Sequence, residues 1–272
     1  MQKSTTPASW LASATAQLSN ASIPSARLDA EIILAHTRDV TRTWLHAHHD
    51  EVVDTTLADE LILKRLRRVP IAYLTGSKEF FGRTFTVTTD TLIPRPETEM
   101  LIDIAKQYKL SGNVIDVGTG SGCVGITLAL ETDATVTLCD ISPSVLQVAQ
   151  HNARQLGADS VICVKSNLLE AFVKEGVAST NFDAIIANLP YVNPIWDRSP
   201  ETDYEPSLAL FADDNGLALI KTLIDQSKVF LTPNGYLLLE ADPEQHRAIR
   251  DHAQPEFRHC ETQGYALLLQ RI

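Results

Sequence analysis

The sequence predicts an α/β protein with a doubly wound, mostly parallel sheet, preceded by a small helical bundle. From about residue 112 onward, strand-like runs alternate with helix-like runs. The strand-like runs are mostly continuous in apolar residues and do not alternate with polar ones, which is typical of parallel strands covered by helices on both faces. Residues 255–270 differ because they hold two strand-like runs with no helix between them. We expect these last two runs to form an antiparallel hairpin at the sheet edge.

The first 75 residues have the pattern of a helical bundle. Helices are expected over residues 25–36, behind the favourable N-cap Ser25, and over residues 54–68. Their apolar stripes are expected at Leu28, Ile32, Leu34 and Ala35 in the first helix, and at Leu57, Leu61, Ile62 and Leu66 in the second. Pro70 ends the pattern, so residues 1–75 are predicted to form a domain of their own.

A short hairpin and a stiff loop are expected to join the bundle to the sheet. Residues 78–90 are rich in aromatic and β-branched residues and turn at Gly82-Arg83, which predicts two short strands. Residues 92–99 place two prolines around Arg95 and then open a helix with acidic residues. The hairpin and linker are therefore assigned to residues 76–95, and the larger domain to residues 96–272.

Each element of the larger domain is predicted from the length and flanks of its apolar run. The strands are expected at 113–117, 134–139, 160–165, 182–187, 235–240 and 264–270. The helices are expected at 121–131, 142–156, 214–230 and 243–252.

Composition and charge exclude several classes of protein. The 272 residues are 44% hydrophobic and 21% charged, which is ordinary globular composition. The net charge is −11, from 23 Lys and Arg against 34 Asp and Glu. Residues 1–78 are nearly neutral, with 9 against 8, so the rest of the chain carries 14 against 26. Since nucleic-acid binding depends on cationic side chains, this balance argues against a nucleic-acid partner.

The cysteines and the N-terminus indicate in which cellular compartment the protein is expected. The cysteines lie in apolar runs without zinc or redox spacing, which predicts buried free thiols in a reducing compartment. They are Cys123, Cys139, Cys163 and Cys260. The N-terminus lacks the apolar core of a signal peptide, and no run approaches the roughly 18–20 apolar residues of a membrane span. We expect a cytoplasmic protein with no membrane partner.

A glycine-rich loop occupies the first strand-to-helix junction of the sheet. Residues 116–122 read Asp-Val-Gly-Thr-Gly-Ser-Gly. Glycines allow a tight turn and close approach of a ligand, and the following helix offers free N–H groups. The sixth position counted from Gly118 is Cys123, so the spacing is not the Gly-x-Gly-x-x-Gly of nicotinamide dehydrogenases. The loop therefore predicts a ligand site of another kind.

Polar residues also end the next two strands. Asp140 lies 20 residues after Gly120, where a carboxylate can accept hydrogen bonds from ribose hydroxyls. Its alternative role is to cap the helix that begins at Ser142, and the glycine loop in front favours ligand binding. Asn167 could contact an adenine amino group or cap a short helix, and the residues alone favour the cap.

The fourth strand ends in Asn188-Leu189-Pro190-Tyr191, the most specific motif of the chain. An Asn side-chain carbonyl and a neighbouring backbone carbonyl can accept both hydrogens of an NH2 group and aim its nitrogen at an electrophile. Pro190 presets the carbonyl directions by fixing its own φ and extending Leu189. Tyr191 would stack on the planar group. A plain strand-end turn is the alternative.

Two further clusters of polar residues, one rich in histidine and one basic, are explained without a metal site or a nucleic-acid site. Residues 46–50 read His-Ala-His-His-Asp, and we interpret them as a solvated junction rather than a metal site, because no further ligands accompany them. Residues 64–68 read Lys-Arg-Leu-Arg-Arg at a helix end. Helix-dipole placement and solvation explain this basic run better than RNA contact does. We expect no metal.

At these residues the sequence resembles the class I S-adenosylmethionine-dependent methyltransferases, and most closely the bacterial release-factor glutamine N5-methyltransferases of the HemK/PrmC family. The resemblance covers nearly the whole chain. Its residues are 26–31, 70–76, 79–82, 92–99, 116–123, 140–143, 204–206 and 215–217, with Glu240 and Gln245. It implies a Rossmann-like seven-stranded methyltransferase sheet behind a helical domain that docks the substrate.

The resemblance also implies an activity. A methyl group passes from S-adenosylmethionine, leaving S-adenosylhomocysteine, to the side-chain nitrogen of the glutamine in the Gly-Gly-Gln motif of peptide chain release factors. The implied cofactor-binding residues are Gly118, Thr119, Gly120, Ser121, Gly122, Asp140, Ile141, Asn167, Leu168 and Asn188. The implied catalytic and substrate-binding residues are Asn188, Leu189, Pro190 and Tyr191, with Arg95 in the wall of the site. We expect a monomer.

Two positions depart from the family pattern. The family usually has Asn-Pro-Pro-Tyr, whereas this chain has Leu189 at the second position, which keeps the backbone carbonyl but loses one fixed φ. Asn-Leu-Pro-Tyr also occurs in rRNA adenine dimethylases, so adenine N6-methylation of RNA or DNA is the alternative function. Asn167 and Leu168 stand where the family often has an acid and an aromatic residue.

Overall fold

The chain divides into two compact units in a computed structural model. The first consists of Met1–Ser77 with Arg198–Tyr204, and the second of Lys78–Asp197 with Glu205–Ile272. The structure describes residues 3–174, 177–178 and 181–272. Each unit has its own hydrophobic core. No helix in these described ranges is both long enough and apolar enough to span a bilayer.

The first unit is a helical bundle with one small sheet. Its helices are α1 (Pro7–Asn20), α2 (Ala26–Arg38), α3 (Arg42–Ala47), α4 (Thr56–Leu66) and α5 (Ile71–Thr75). Two short strands, β1 (Ser4–Thr5) and β2 (Val53–Asp54), pair antiparallel. A 3-10 helix over Pro200–Tyr204 completes the unit. The two expected helices therefore form within about two residues of their predicted bounds.

The predicted apolar stripes of α2 and α4 are confirmed in part, because Leu34 and Ala35 of α2 and Leu61 and Ile62 of α4 are buried in the core. Leu28 is 43% exposed and Leu57 is 52% exposed, so neither belongs to the core. The face of α2 that is buried instead carries Ala30 and Ile33. Ser25 does occupy the N-cap of α2, but its side chain makes no capping hydrogen bond to the described residues.

The basic run at the end of α4 is solvated only in part, because Lys64 and Arg67 are exposed as predicted but Arg65 is buried and Arg68 is half-buried. Arg65 is buried, and its guanidinium donates to Asp29 Oδ2 at 2.7 Å and to Glu201 Oε1 at 2.9 Å. Arg68 donates to the same Glu201 oxygen at 3.3 Å and to the carbonyl of Ala21 at 2.8 Å. These side chains hold the bundle and the segment 198–204 together as one unit.

The histidine run is also more structured than predicted. His46 lies in α3, 3.6 Å from the carboxylate of Glu31, and the ring of His48 stacks on Trp44 with centroids 4.1 Å apart. Over the described residues, no group of three or more His, Cys, Asp or Glu side chains could hold a metal ion.

The second unit is built on a seven-stranded sheet. Its strands are β5 (Asn113–Val117), β6 (Thr135–Asp140), β7 (Ile162–Lys165), β10 (Phe182–Ala187), β11 (Leu231–Glu240), β12 (Phe257–Gln263) and β13 (Ala266–Arg271). Their order across the sheet is β12-β13-β11-β10-β5-β6-β7. All pairs are parallel except β11 with β13 and β12 with β13. The predicted fold, including the antiparallel C-terminal hairpin, is confirmed.

Helices cover both faces of this sheet, which is why its strands are apolar on both sides. They are α6 (Glu99–Gln107), α7 (Cys123–Glu131), α8 (Pro143–Leu156), α9 (Ser207–Leu210), α10 (Ala218–Phe230) and α11 (His246–Ala253), with 3-10 turns at Pro96–Thr98 and Glu170–Phe172. Outside the sheet, β3 (Ser77–Phe80) pairs with β4 (Arg83–Thr86), and β8 (Val173–Lys174) pairs antiparallel with β9 (Val177–Ala178).

The strand register brings four carboxyl ends together. Val117 at the end of β5 lies opposite Cys139 of β6 on one side and Ala187 of β10 on the other. Ala187 in turn lies opposite Leu239 of β11. In open parallel sheets, ligands bind in the crevice outside these ends, where the strand order reverses. The residues that follow β5, β6, β10 and β11 therefore share one edge.

Two of the four cysteines match the predicted buried thiols. Cys123 and Cys139 are buried, whereas Cys163 and Cys260 are partly exposed, and all are free thiols. Burial raises the pKa of both buried thiols to about 12, so they remain protonated and act as small apolar side chains.

Candidate active site

A cavity of about 440 Å³ opens at the carboxyl ends of the central strands, within the second unit. This volume is in the range of small-molecule sites. Most of the predicted site residues line it. They are Arg95, Gly118, Thr119, Gly120, Ser121, Asp140, Ile141, Asn167, Leu168, Asn188, Leu189 and Pro190. Gly122 and Tyr191 are not among the described residues that line it.

The glycine loop is held by the buried carboxylate of Asp116. Its Oδ2 accepts from the Thr119 hydroxyl at 2.6 Å and from the backbone N–H of Gly125 at 2.9 Å. Burial raises the pKa of Asp116 to about 6, although these two hydrogen bonds oppose the rise. On the other side, the N–H groups of Gly118 and Thr119 donate to the carbonyl of Cys139 at 2.8 and 2.9 Å. The loop is thus fixed at both ends.

The loop leaves room for a ligand. Gly118 has φ +73°, and a Cβ there would lie 2.9 Å from Leu189 Cδ2, so this glycine lets the loop approach the Asn188-Leu189 turn. Gly120 has φ +56°, and a Cβ there would meet nothing within 4 Å in the described part of the chain. Ser121 Oγ is buried and has no hydrogen-bond partner among the described residues. An open space beside an unsatisfied buried hydroxyl suits a polar ligand.

Asp140 ends β6 at the same edge. Its Oδ2 accepts from the N–H of Gly120 at 3.2 Å, and its Oδ1 accepts from the N–H of Ser142 at 3.0 Å. The N-cap of α8 is Ser142, whose hydroxyl accepts from Val145 N at 3.4 Å, so Asp140 does not have the alternative capping role. Burial raises the pKa of Asp140, and the backbone N–H bonds limit that rise. Ile141, 57% exposed, lies at the rim.

Asn167 and Leu168 line the cavity beyond β7. The favoured capping role of Asn167 is wrong, because Leu169 occupies the N-cap of the 3-10 helix and Asn167 Nδ2 donates to Glu170 Oε1 at 2.8 Å. Leu168 is buried, with φ +47°, and its carbonyl accepts from the Cys139 thiol at 3.2 Å. Asn167 stays exposed at the mouth of the cavity.

Asn188 follows β10 directly. The Nδ2 of its side-chain amide donates to Thr98 Oγ1 at 3.1 Å. The other end of the amide, Oδ1, takes no part in this hydrogen bond. Leu189 is buried against the glycine loop, and Pro190 lines the cavity next to it. The side chain and the backbone turn that the sequence singled out therefore lie beside the glycine loop.

Tyr191 points to a different environment. Its hydroxyl donates to Glu240 Oε1 at 3.1 Å, and its ring packs against the apolar core on that face of the sheet. Burial, more than the neighbouring Glu240, raises the pKa of Tyr191 far above the ordinary value. The carbonyl of Tyr191 accepts from Gln245 Nε2 at 2.9 Å. A stacking contact between Tyr191 and a substrate stays a prediction.

Arg95 lies in the cavity wall as an ion pair. Its guanidinium donates to Glu205 Oε1, and Glu205 Oε2 accepts from the N–H of Ile93 at 3.1 Å. The Glu205 side chain is 1% exposed, so a buried carboxylate sets the position of Arg95.

Three residues around the site had no predicted role there, although all three lie in segments that carry the family resemblance: Thr98, Glu205 and Glu240. Glu240 had a signal, because it is the one acid that ends the apolar run 235–240. A charged residue at the carboxyl end of a buried strand lies at the edge where ligands bind, although Glu240 itself is not among the described residues that line the cavity. Thr98 ends a short 3-10 turn and Glu205 lies in a loop, so neither belongs to a periodic pattern and their neighbours are set by tertiary contacts.

Comparison with protein families divides the chain in a similar way. A PrmC N-terminal domain model matches residues 9–76, and a methyltransferase domain model matches residues 109–262. The release factor glutamine methyltransferase of Koribacter versatilis is 39% identical, over 88% of this chain and 89% of that protein. That of Salmonella typhimurium is 36% identical, over 89% and 87% respectively. That of Leptospira interrogans is 40% identical, over 81% and 80%.

Solved structures share the fold at low sequence identity. A methyltransferase from Pyrococcus furiosus has a TM-score of 0.54 at 16% identity, covering 71% of this chain and 91% of that chain. The 16S rRNA N2 G1207 methyltransferase RsmC of Thermus thermophilus, in complex with AdoMet and guanosine, has a TM-score of 0.51 at 18% identity, covering 72% and 49%. These similarities concern the fold alone.

Proposed function

The chain belongs to the release factor glutamine methyltransferase family, and we propose that it methylates the side-chain amide nitrogen (N5) of the glutamine in the Gly-Gly-Gln motif of peptide chain release factors, with S-adenosylmethionine as the methyl donor. One observation in the structure carries this proposal. The glycine loop and the Asn188-Leu189 turn lie side by side in one cavity, close enough that a methyl group on Gly118 would lie 2.9 Å from Leu189. This adjacency supports a methyl-donor site at the loop next to a methyl-acceptor site at the turn.

The residues of the cavity fit the proposed cofactor. The turns at Gly118 and Gly120 would hold its amino-acid part, since Gly120 borders open space and the Ser121 hydroxyl still needs a partner. The carboxylate of Asp140 would accept from the ribose hydroxyls, and Leu168 would pack beside the base. S-adenosylmethionine supplies an electrophilic methyl group on a positively charged sulfonium.

In the proposed reaction, residues of this chain would align a poor nucleophile, the amide nitrogen of the substrate glutamine. The lone pair of an amide nitrogen is delocalised into its carbonyl, so alignment matters most, and positioning can contribute about 7–11 kcal/mol in the best intramolecular models. Asn188 Oδ1 and the backbone carbonyl of Leu189 would accept the two N–H hydrogens of the glutamine. These hydrogens become more positive in the transition state, so their acceptors stabilise it most. No residue is required as a general base, because the extra proton can leave after methyl transfer.

The helical unit has a separate proposed role. We propose that it docks the release factor, which is a protein rather than a nucleic acid and which must present its loop to the cavity of the second unit. The excess of acidic residues after residue 78, 26 against 14 basic ones, supports a protein substrate over RNA.

Replacing Gly120 by alanine is expected to lower the affinity for S-adenosylmethionine at least ~10-fold. Gly120 lines the cavity, and an added Cβ there would meet nothing within 4 Å in the described structure, so we expect it to take up space that the cofactor needs. At φ +56° the alanine also costs the fold about 1 kcal/mol. Isothermal titration calorimetry measures the affinity.

Gly157→Ala is the matched control. Gly157 has φ +76° and equally open surroundings, but it caps the end of α8 and does not line the cavity. We expect the same loss of stability and an unchanged cofactor affinity. If Gly120→Ala and Gly157→Ala bound S-adenosylmethionine with equal affinity, Gly120 would not be part of the binding site.

The activity itself is tested by mass spectrometry. The protein is incubated with S-adenosylmethionine and either a bacterial release factor or rRNA, and the substrates are digested and analysed. We expect a gain of one methyl group on the Gly-Gly-Gln glutamine. A methyl group found on RNA adenine alone would establish the alternative function and overturn the proposed one.

A further inference from the structure

Gln245 is a buried glutamine, 5% exposed, at the N-cap of α11. Its Nε2 donates to the carbonyl of Tyr191 at 2.9 Å and to the carbonyl of Asn215 at 2.8 Å. Its Oε1 accepts from the N–H of Asp242 at 3.1 Å. An amide NH2 group has two hydrogens, so each of the two carbonyls takes one. The side chain therefore ties together the turn after β11, the segment after β10 and the turn before α10.

The peptide unit between Tyr191 and Val192 is held on both sides. Its carbonyl accepts from Gln245, and its N–H donates to the carbonyl of Leu210 at 2.9 Å. Gly216, with φ +83°, packs against the same peptide unit. A Cβ on Gly216 would lie 1.9 Å from the Tyr191 oxygen and 2.6 Å from Gln245 Nε2, so the close approach requires a glycine there. Three separate contacts thus set the position of this peptide unit.

This peptide unit is one of two fixed ends of the proposed catalytic turn, residues 188–191. The other end lies in the sheet, where Ala187 pairs with β5 and with β11. No backbone hydrogen bond to the described residues holds Leu189 or Pro190 in between. Pro190 fixes its own φ, which leaves few free rotations between the carbonyl of Leu189 and that of Tyr191. The direction of the Leu189 carbonyl therefore depends on how the two ends are held.

We propose that Gln245 is a positioning residue: by holding the Tyr191 carbonyl, it fixes the direction of the Leu189 carbonyl, the proposed acceptor for one N–H of the substrate amide. The inference rests on the proposed function for the identity of that substrate. A glutamine suits the position because its amide serves two carbonyl acceptors and one N–H donor at once. Methionine has a similar length and supplies no hydrogen to either carbonyl.

Gln245→Met is expected to lower kcat for methyl transfer to a release factor about 10- to 100-fold. The reason is that a displacement of about 1 Å, caused by a change away from the chemistry, can cost roughly 100-fold in rate. Gln245 is not among the described residues that line the cavity, so the KM and the Kd for S-adenosylmethionine should stay close to those of the wild type. The fraction of folded protein, measured by circular dichroism, converts each rate to kcat per folded molecule.

Gln270→Met is the matched control. Gln270 is also buried, 7% exposed, and its Nε2 donates to a backbone carbonyl, that of Asn234, at 2.8 Å. It lies in β13 and is not among the described residues that line the cavity. We expect Gln270→Met to lose stability and to keep the kcat of the wild type. A purely structural role for Gln245 would give the same result in Gln245→Met, which would overturn the proposal.

Gly216→Ala tests the same anchor from the opposite side. Its Cβ would displace the Tyr191 carbonyl, so kcat should fall as in Gln245→Met. Gly157→Ala is the control, because Gly157 also has a positive φ, +76°, and a Cβ there meets nothing within 4 Å in the described part of the chain. We expect Gly157→Ala to turn over like the wild type. A folded Gly216→Ala with the kcat of the wild type would contradict the proposal.

Hydrogen exchange followed by mass spectrometry measures the anchor without any substrate. We expect Gln245→Met to speed exchange at the amides of Tyr191 and Val192 at least ~10-fold and to leave β5 unchanged, because only the local anchor is lost. Gln270→Met should leave both regions unchanged. Equal exchange at residues 188–192 in Gln245→Met and the wild type would refute the positioning role. If the wild type transferred no methyl group to a release factor, the proposed function would fall, and the exchange result would still decide the role of Gln245.

Discussion

An Asn188→Ala variant is expected to turn over roughly 100- to 1000-fold more slowly than the wild type, with the affinity for S-adenosylmethionine mostly retained. The substitution removes the amide side chain that lines the cavity at the end of β10. The backbone carbonyl of Leu189 remains, so one N–H of the glutamine stays held while the other is free to rotate. A poor nucleophile depends on that alignment, and both kcat and the cofactor affinity are measurable on the same sample.

Asn193→Ala is the control for this substitution. Asn193 lies five positions further along the same segment, and its Nδ2 donates to Asn215 Oδ1 at 3.1 Å, outside the set of residues that line the cavity. Its loss should leave kcat close to that of the wild type. If Asn188→Ala retained full turnover, the assignment of the substrate amide to Asn188 would be wrong.

The strands were the most predictable part of the fold. β5 and β10 have the predicted bounds, 113–117 and 182–187, because each is a short apolar run between polar residues. β11 begins at Leu231, four residues before the predicted start at Gly235, although residues 232–235, Thr-Pro-Asn-Gly, have the composition of a turn. Asn234 has φ +64° there, and the register with β10 shifts in this region. The pattern of apolar residues along the sequence does not reveal such an irregularity in strand register.

Helix starts were less predictable for the same physical reason. α10 was expected from residue 214 but begins at Ala218. Asp214, Asn215 and Gly216 all have positive φ, which excludes them from the helix. A Cβ on Gly216 would lie 1.9 Å from the carbonyl of Tyr191, so this turn is shaped by contact with the segment after β10. The helix propensity of the local residues gives no sign of that contact, because it depends on another segment of the chain.

The candidate site was predictable where it depends on backbone turns at strand ends. Parallel strands place their carboxyl ends on one edge, so the amino-acid sequence is enough to expect the glycine loop, Asp140 and Asn188 together. The partners of these residues could not be predicted in the same way. Thr98 is 90 positions from Asn188, and Glu205 is 110 positions from Arg95. Side chains so far apart along the chain meet only through the fold, which no local pattern of residues describes.

An Arg65→Met variant is expected to lose about 3–5 kcal/mol of stability, because it leaves carboxylates without their buried cation. The Arg65 and Asp29 side chains are 6% and 5% exposed, and their N–O distance is 2.7 Å. Glu201 depends on the same guanidinium at 2.9 Å. Urea unfolding measures the loss, and the double variant Asp29→Leu, Arg65→Met should recover most of it. Arg27→Met is the control, because Arg27 is half exposed in its pair with Glu31 and should cost less than about 1 kcal/mol.

The loss of stability in Arg65→Met should depend on pH, because Arg65 also pairs with Glu201. The shifted pKa of Glu201 determines the sign of this dependence. Burial acts to raise the pKa of Glu201, but hydrogen bonds from Ser199, from a backbone N–H and from Arg65 outweigh it and lower the pKa to about 2, from 4.5. A lowered carboxyl pKa stabilises the fold above pH 4.5, and this stabilisation is lost at about 1.4 kcal/mol per pH unit as the pH falls towards 2. Arg65→Met removes part of it in advance, so the stability difference between wild type and variant should narrow from pH 5 to pH 3. A difference that stays constant over this range would show that Arg65 does not set the ionisation of Glu201.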